Sequence, residues 1–156
     1  MSRASPGVRA DYRRFLPITT RWMDNDVFGH VNNAAYYSFF DTAITHFLVQ
    51  CGILAWQGGS PLLVVAENNC RYHSEIAFPD PLTAGVRLAK LGARSVRHEV
   101  AVFRDDMDTA AAEGWFVHVC IDAATRRPAP LPDRWRQILE AEMPNTELLG
   151  ASARKE

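Results

Sequence analysis

The strongest periodicity in the chain lies between residues 33 and 50. Ser38, Asp41, Thr42 and Thr45 recur at helical spacing as one polar stripe, while Tyr36, Phe39, Phe40, Ala43, Ile44, Phe47 and Leu48 fill a broad opposite face. A polar stripe this narrow predicts a helix wrapped by sheet rather than one laid on a surface. Asn32 or Asn33 is suited to cap its start, because a side-chain oxygen there can accept an unpaired N–H of the first turn. Gly52 is suited to stop it.

The other apolar runs alternate or are β-rich. Residues 15–23 read as a first strand, with Pro17 near its start or on an edge. A turn at residues 58–61 leads into a strand at Leu62–Tyr72, and Pro79-Asp80-Pro81 breaks the chain again. Leu82, Ala84, Val86 and Leu88 alternate, as do Val96, His98, Val100 and Val102, with Gly92 between the runs. That is a strand, a turn and a strand with one buried face each. Residues 110–122 form a last long strand, and three prolines then lead to a short helix at residues 135–142. Residues 1–11 read as a mobile N-terminal tail, 12–142 as a single domain, and 143–156 as a flexible C-terminal tail. One long helix with strands before and after it gives an α+β fold, an antiparallel sheet curled around the helix.

Composition narrows the function classes. A formal net charge of −1 over 156 residues gives no global reason to expect nucleic-acid binding, and 22% charged content is ordinary for a soluble globular protein. Cys51, Cys70 and Cys120 are an odd set without C-x-x-C spacing, which argues against a disulfide framework and a structural zinc site and suits a reducing cytoplasm. The Arg-rich N-terminus lacks the apolar core of a secretory signal, and Asp41, Thr42, Thr45 and His46 interrupt the longest apolar segment, so no membrane span is expected.

The chemistry concentrates in residues 21–41, RWMDNDVFGHVNNAAYYSFFD. An acid beside a helix start, whose free N–H groups and positive dipole end point back at it, is a plausible place to attack a carbonyl and stabilise an oxyanion. The block D-x-D-x-x-G-H-V-N-N-x-x-Y, preceded by an Arg-aromatic pair and followed by an acid on the helix, resembles the hot-dog-fold acyl-CoA thioesterases. The branch it most resembles is that of 4-hydroxybenzoyl-CoA thioesterase. The resemblance spans residues 12–139. It implies the hot-dog fold, an acyl-CoA substrate, no metal or organic cofactor, and a homodimer or a homotetramer made of two dimers.

By the same resemblance Asp26 is the catalytic acid, as nucleophile or as general base on water, and Asp24 fixes the loop. Gly29, His30 and Val31 form the approach to the helix, whose backbone N–H groups are the natural oxyanion donors, and His30 could bond the thioester or the loop. Asn32, Asn33 and Tyr36 match the block as substrate contacts, although a cap and a core aromatic fit them equally. Another hot-dog branch places its catalytic acid on the helix, where Asp41 stands. The family pattern often follows that acid with Ala-Arg, and this chain reads Asp41-Thr42-Ala43-Ile44. Lys90, Arg94 and Ser95, together with Arg97, flank the Gly92 turn and are expected to hold the phosphates of CoA. Two other functions compete: a hot-dog hydratase or dehydratase, whose His-x-x-x-x-Pro spacing is missing around His30, and a non-catalytic acyl-thioester-binding module, which would lack the acid.

Overall fold

The computed structural model describes residues 4–55, 59 and 61–144. The turn expected at residues 58–61 and the tail beyond residue 144 lie mostly outside these.

Helix α1 runs Ala35–Gln50, and all seven residues of the expected apolar face are buried. Ser38, Asp41 and Thr42 of the polar stripe are exposed. The helix begins two residues later than the pattern suggested, because Asn32 closes a separate turn first. The Asn32 side-chain oxygen accepts the Ala34 N–H at 2.9 Å, and its carbonyl accepts the Ala35 N–H at 2.9 Å. The far end closes as the sequence suggested: the Gly52 N–H reaches Val49 O and the Ile53 N–H reaches Leu48 O, the paired bonds that satisfy terminal carbonyls.

Five strands, β1 (Arg14–Ile18), β2 (Leu62–Tyr72), β3 (Leu82–Leu91), β4 (Ser95–Arg104) and β5 (Ala112–Ile121), form one sheet in the order β1-β3-β4-β5-β2. Every pairing is antiparallel. This is the hot-dog arrangement, with α1 packed against the sheet's inner face. Strand β1 is shorter than expected. Past Ile18 the chain turns, and the Asp24 carboxylate draws back the Arg21 N–H at 2.7 Å, curling Trp22–Asp24 into a single 3-10 turn.

Even-numbered residues of β4 and β5 face α1, so Val96, Val100, Val102, Ala112, Phe116 and Cys120 join Phe40 and Ile44 in the main core. Two histidines share that face. His98 is fully buried with neither ring nitrogen bonded, and its ring meets that of His118 edge-on at 5.0 Å.

Residues 7–11, expected within a mobile tail, are instead part of the fold. Gly7 O accepts the Ala110 N–H at 2.9 Å, the Arg9 N–H reaches Asp108 O at 3.0 Å, and Val8 bridges Thr109. The reason is a second apolar cluster on the outer sheet face, Tyr12 with Ala101, Phe103 and Ala110, which this segment covers. Helix α2 (Asp133–Glu142) buries Leu139 and pairs Glu142 with Arg14, tying the last helix to the first strand.

Candidate active site

The loop between β1 and α1 is held by bonds among its own residues. Buried Asp24 takes the Arg21 guanidinium at 2.8 Å as well as its N–H, and its carbonyl accepts the Asn32 N–H at 2.8 Å. That is the loop-fixing role expected of it. The Asp26 N–H donates to His30 O at 3.0 Å, which brings Asn25 opposite Val31. Gly29, at φ 85, supplies the left-handed residue that lets the turn close. Within this frame one Asp26 carboxylate oxygen accepts the Phe28 N–H at 2.8 Å and the other the Asn32 amide at 3.3 Å.

The carboxylate borders a pocket of about 410 Å³. Phe28, His30, Val31, Asn33 and Tyr36 form its near wall. Tyr72, His73, Ser74 and Glu75 form the opposite wall, and sequence reasoning had not assigned them to the site. The local signal was a polar run, His-Ser-Glu, at the end of a strand and ahead of a proline break. Two bonds join the walls: the Tyr72 hydroxyl donates to Asn33 O at 3.0 Å, and the Val31 N–H donates to Ile76 O at 2.8 Å.

Those bonds sort the expected oxyanion donors. The N–H groups of Val31 and Gly29 are spent, on Ile76 O and Asp26 O, so Val31 lines the pocket without offering a donor. The backbone N–H groups of His30 and Asn33 have no partner among the described residues. The His30 ring stacks on Phe28 at 6.3 Å, and its Nε2 lies 3.8 Å from the Glu75 carboxylate. His73 is held by Glu113, Nε2 to Oε1 at 3.0 Å. Burial pushes the Tyr36 hydroxyl up to about 12, and burial followed by a bond with Cys70 pushes Tyr72 upward, so both remain neutral donors at ordinary pH.

Other expected site residues stand apart. Asp41 is exposed on the polar stripe of α1 and is not among the residues lining the pocket. Lys90 and Arg94 are exposed beside the Gly92 turn, which closes through a Gly92 N–H to Ser95 O bond of 2.8 Å. Ser95 pairs with Val119 of β5, whereas the pocket's Tyr72 pairs with Ala112. Seven residues of extended strand separate the two, about 23 Å, so within one chain the basic turn and the pocket lie at opposite ends of the sheet.

Comparison with known proteins bears on the family. The family model of the thioesterase-like superfamily matches residues 20–139. The long-chain acyl-CoA thioesterase FadM of Escherichia coli (strain K12) is 27% identical over 79% of this chain and 94% of its own length. Among solved structures, the PA5185 protein of Pseudomonas aeruginosa strain PAO1 is 42% identical, covers 90% of this chain and 97% of its own, and superposes with a TM-score of 0.84. A thioesterase from Thermus thermophilus, solved with coenzyme A and Zn, is 32% identical over 81% of this chain and 91% of its own, with a TM-score of 0.72. With the fold and the matched span in agreement, this chain belongs to the thioesterase-like superfamily, as one of its hot-dog-fold enzymes.

Proposed function

We propose that the protein hydrolyses an acyl-CoA thioester to a carboxylic acid and CoA, with Asp26 supplying the carboxylate. The observation that carries this is the Asp26 side chain, fixed by the Phe28 N–H and the Asn32 amide at the wall of an apolar-lined pocket beside the start of α1. A pocket of about 410 Å³ falls in the size range of small-molecule sites. In one route Asp26 takes a proton from water, which attacks the carbonyl carbon. In the other Asp26 attacks first, and water then opens the mixed anhydride. In both, the C–S bond breaks and the CoA thiolate leaves and takes up a proton. The free N–H groups of His30 and Asn33, aided by the positive end of α1, would face the developing oxyanion. The resemblance to FadM and to the CoA-bound Thermus enzyme supports a CoA ester as substrate, and the signature block supports the 4-hydroxybenzoyl-CoA thioesterase branch.

The distance between pocket and basic turn supports a shared site. If the turn bearing Lys90, Arg94 and Ser95 serves the pocket of a neighbouring subunit, one CoA reaches both in a homodimer or a dimer of dimers. The eleven-residue edge strand β2 is suited to such pairing. A monomer by light scattering that still turns over substrate would overturn this. A cytoplasmic setting suits the three unpaired cysteines, and no helix among the described residues is long and apolar enough to cross a membrane.

The decisive experiment compares Asp26→Asn with Asp41→Asn by release of free thiol from a panel of acyl-CoAs. Asp26→Asn should lower kcat by at least about a hundredfold, the contribution of a positioned base, with binding retained. Asp41→Asn should change activity much less. The reverse ranking would move catalysis to the helix acid, and hydration of an enoyl-CoA without thiol release would assign a hydratase. Hydrolysis by either Asp26 route draws on no metal or organic cofactor, so activity should survive EDTA.

A further inference from the structure

The outer face of the sheet, away from α1, holds a second concavity, of about 260 Å³. Tyr12 and Trp115 stand at its sides, and Arg71, Arg87 and Arg97 line it. Its two carboxylates, Glu99 and Glu113, are already engaged. Glu99 takes the Arg87 Nε at 2.8 Å and Nη2 at 2.7 Å on one oxygen, and only a long contact of 3.5 Å to Arg97 on the other. Glu113 lies 3.0 Å from His73 Nε2 through one oxygen and accepts the Gly7 N–H at 3.0 Å on the other. The Asn69 side-chain oxygen accepts the Trp115 N–H at 3.2 Å.

What is left over is donors. The Arg97 Nε is buried without a partner, and its guanidinium lies over the Trp115 ring at 4.5 Å. Stacking fixes the plane of that fork and shields one side of it from water. The Arg71 side chain makes no hydrogen bond or ion pair to a described residue, and the Asn69 amide nitrogen is likewise unspent. A donor N–H buried without a partner is costly, and planar guanidinium forks match carboxylate and phosphate oxygens in pairs.

We propose that Arg71, Arg97 and Asn69 form a binding site for an oxyanion, a phosphate or carboxylate group, on the outer face of the sheet. The site is separate from the Asp26 pocket. Arg71 and Tyr72 are successive residues of β2, so their side chains leave opposite faces of the sheet. It also stands independently of the catalytic reading, because occupancy is measured without turnover.

The test is calorimetric titration of the full-length protein at low ionic strength with three probes: inorganic phosphate, adenosine 3′,5′-bisphosphate and hexanoate. Binding of any one that Arg71→Gln and Arg97→Lys weaken supports the site, and the tightest such probe names the source as free phosphate, nucleotide phosphate or carboxylate. Arg71→Gln and Arg97→Lys should each weaken that binding at least tenfold. Arg134→Gln, an exposed change of equal charge on α2, should leave it unaltered. Arg71 is itself exposed, so its variant retains the fold, and matching melting curves verify this. No binding by any probe would overturn the proposal. So would equal binding by wild type, Arg71→Gln and Arg97→Lys, or an equal loss in Arg134→Gln.

Discussion

The two core histidines make acid stability a measurable consequence of the packing. His98 is fully buried on the inner face of β4 with both ring nitrogens unbonded. Phe47 of α1 meets it edge-on at 5.9 Å, and His118 of β5 at 5.0 Å. Burial, and secondarily His118, pushes its pKa from an ordinary 6.5 down to about 3. Burial also lowers His118, against which Asp41 acts in the opposite direction. The folded state therefore refuses a proton that the unfolded chain accepts. Stability from His98 is fully present above about pH 6.5 and is lost as pH falls from there toward about 3. Over that whole window the ceiling is about 5 kcal/mol, and between about pH 7.5 and 5 roughly 2 kcal/mol. The perturbation is His98→Leu, read by urea denaturation at fixed protein concentration across that upper range. Working above about pH 5 keeps the depressed carboxylates Asp106, Asp122 and Glu142 ionised in both states. Wild type should lose roughly 2 kcal/mol or more and the variant correspondingly less, while the variant at about pH 7.5 should be near wild type or above it, since an unpaired buried polar group has gone. Parallel pH dependence in the two proteins would refute the reasoning.

Three further outcomes follow from the geometry. At Gly114 a β-carbon would stand 2.1 Å from the Asn69 carbonyl oxygen, so Gly114→Ala should cost about 1–3 kcal/mol and lower Tm by about 3–10 °C; an unchanged Tm would contradict the close approach of β2 to β5. Asn32→Ala removes the amide that positions Asp26 and the oxygen that closes the turn before α1, so kcat should fall about tenfold with KM nearly constant and stability should drop by about 1 kcal/mol. A rise in KM alone would show that Asn32 serves binding instead. Arg94→Ala should raise KM for a CoA ester up to about tenfold and leave a thioester lacking the nucleotide unaffected; equal responses would remove the phosphate contact from that turn.

Local physics made part of this molecule readable from its residues. The burial of α1 was legible because helical periodicity sets the side-chain faces before any neighbour is present. The loop carrying Asp26 was legible for a related reason, since its bonds join Asp24 to Arg21 and Asp26 to Phe28 and Asn32, all within a dozen residues. Contacts that span the chain were not. Tyr72 and His73 reach the pocket only because β2 ends beside the start of α1, where the Tyr72 hydroxyl finds Asn33 39 residues away. The segment before β1 has the composition of a tail, and it folds back only because the outer sheet face presents Phe103 and Ala110 to be covered. Strand register alone puts the basic turn and the Asp26 loop at opposite ends of the sheet. The charge state of His98 likewise belongs to the tertiary structure, because burial between α1 and two strands sets the cost of protonating it.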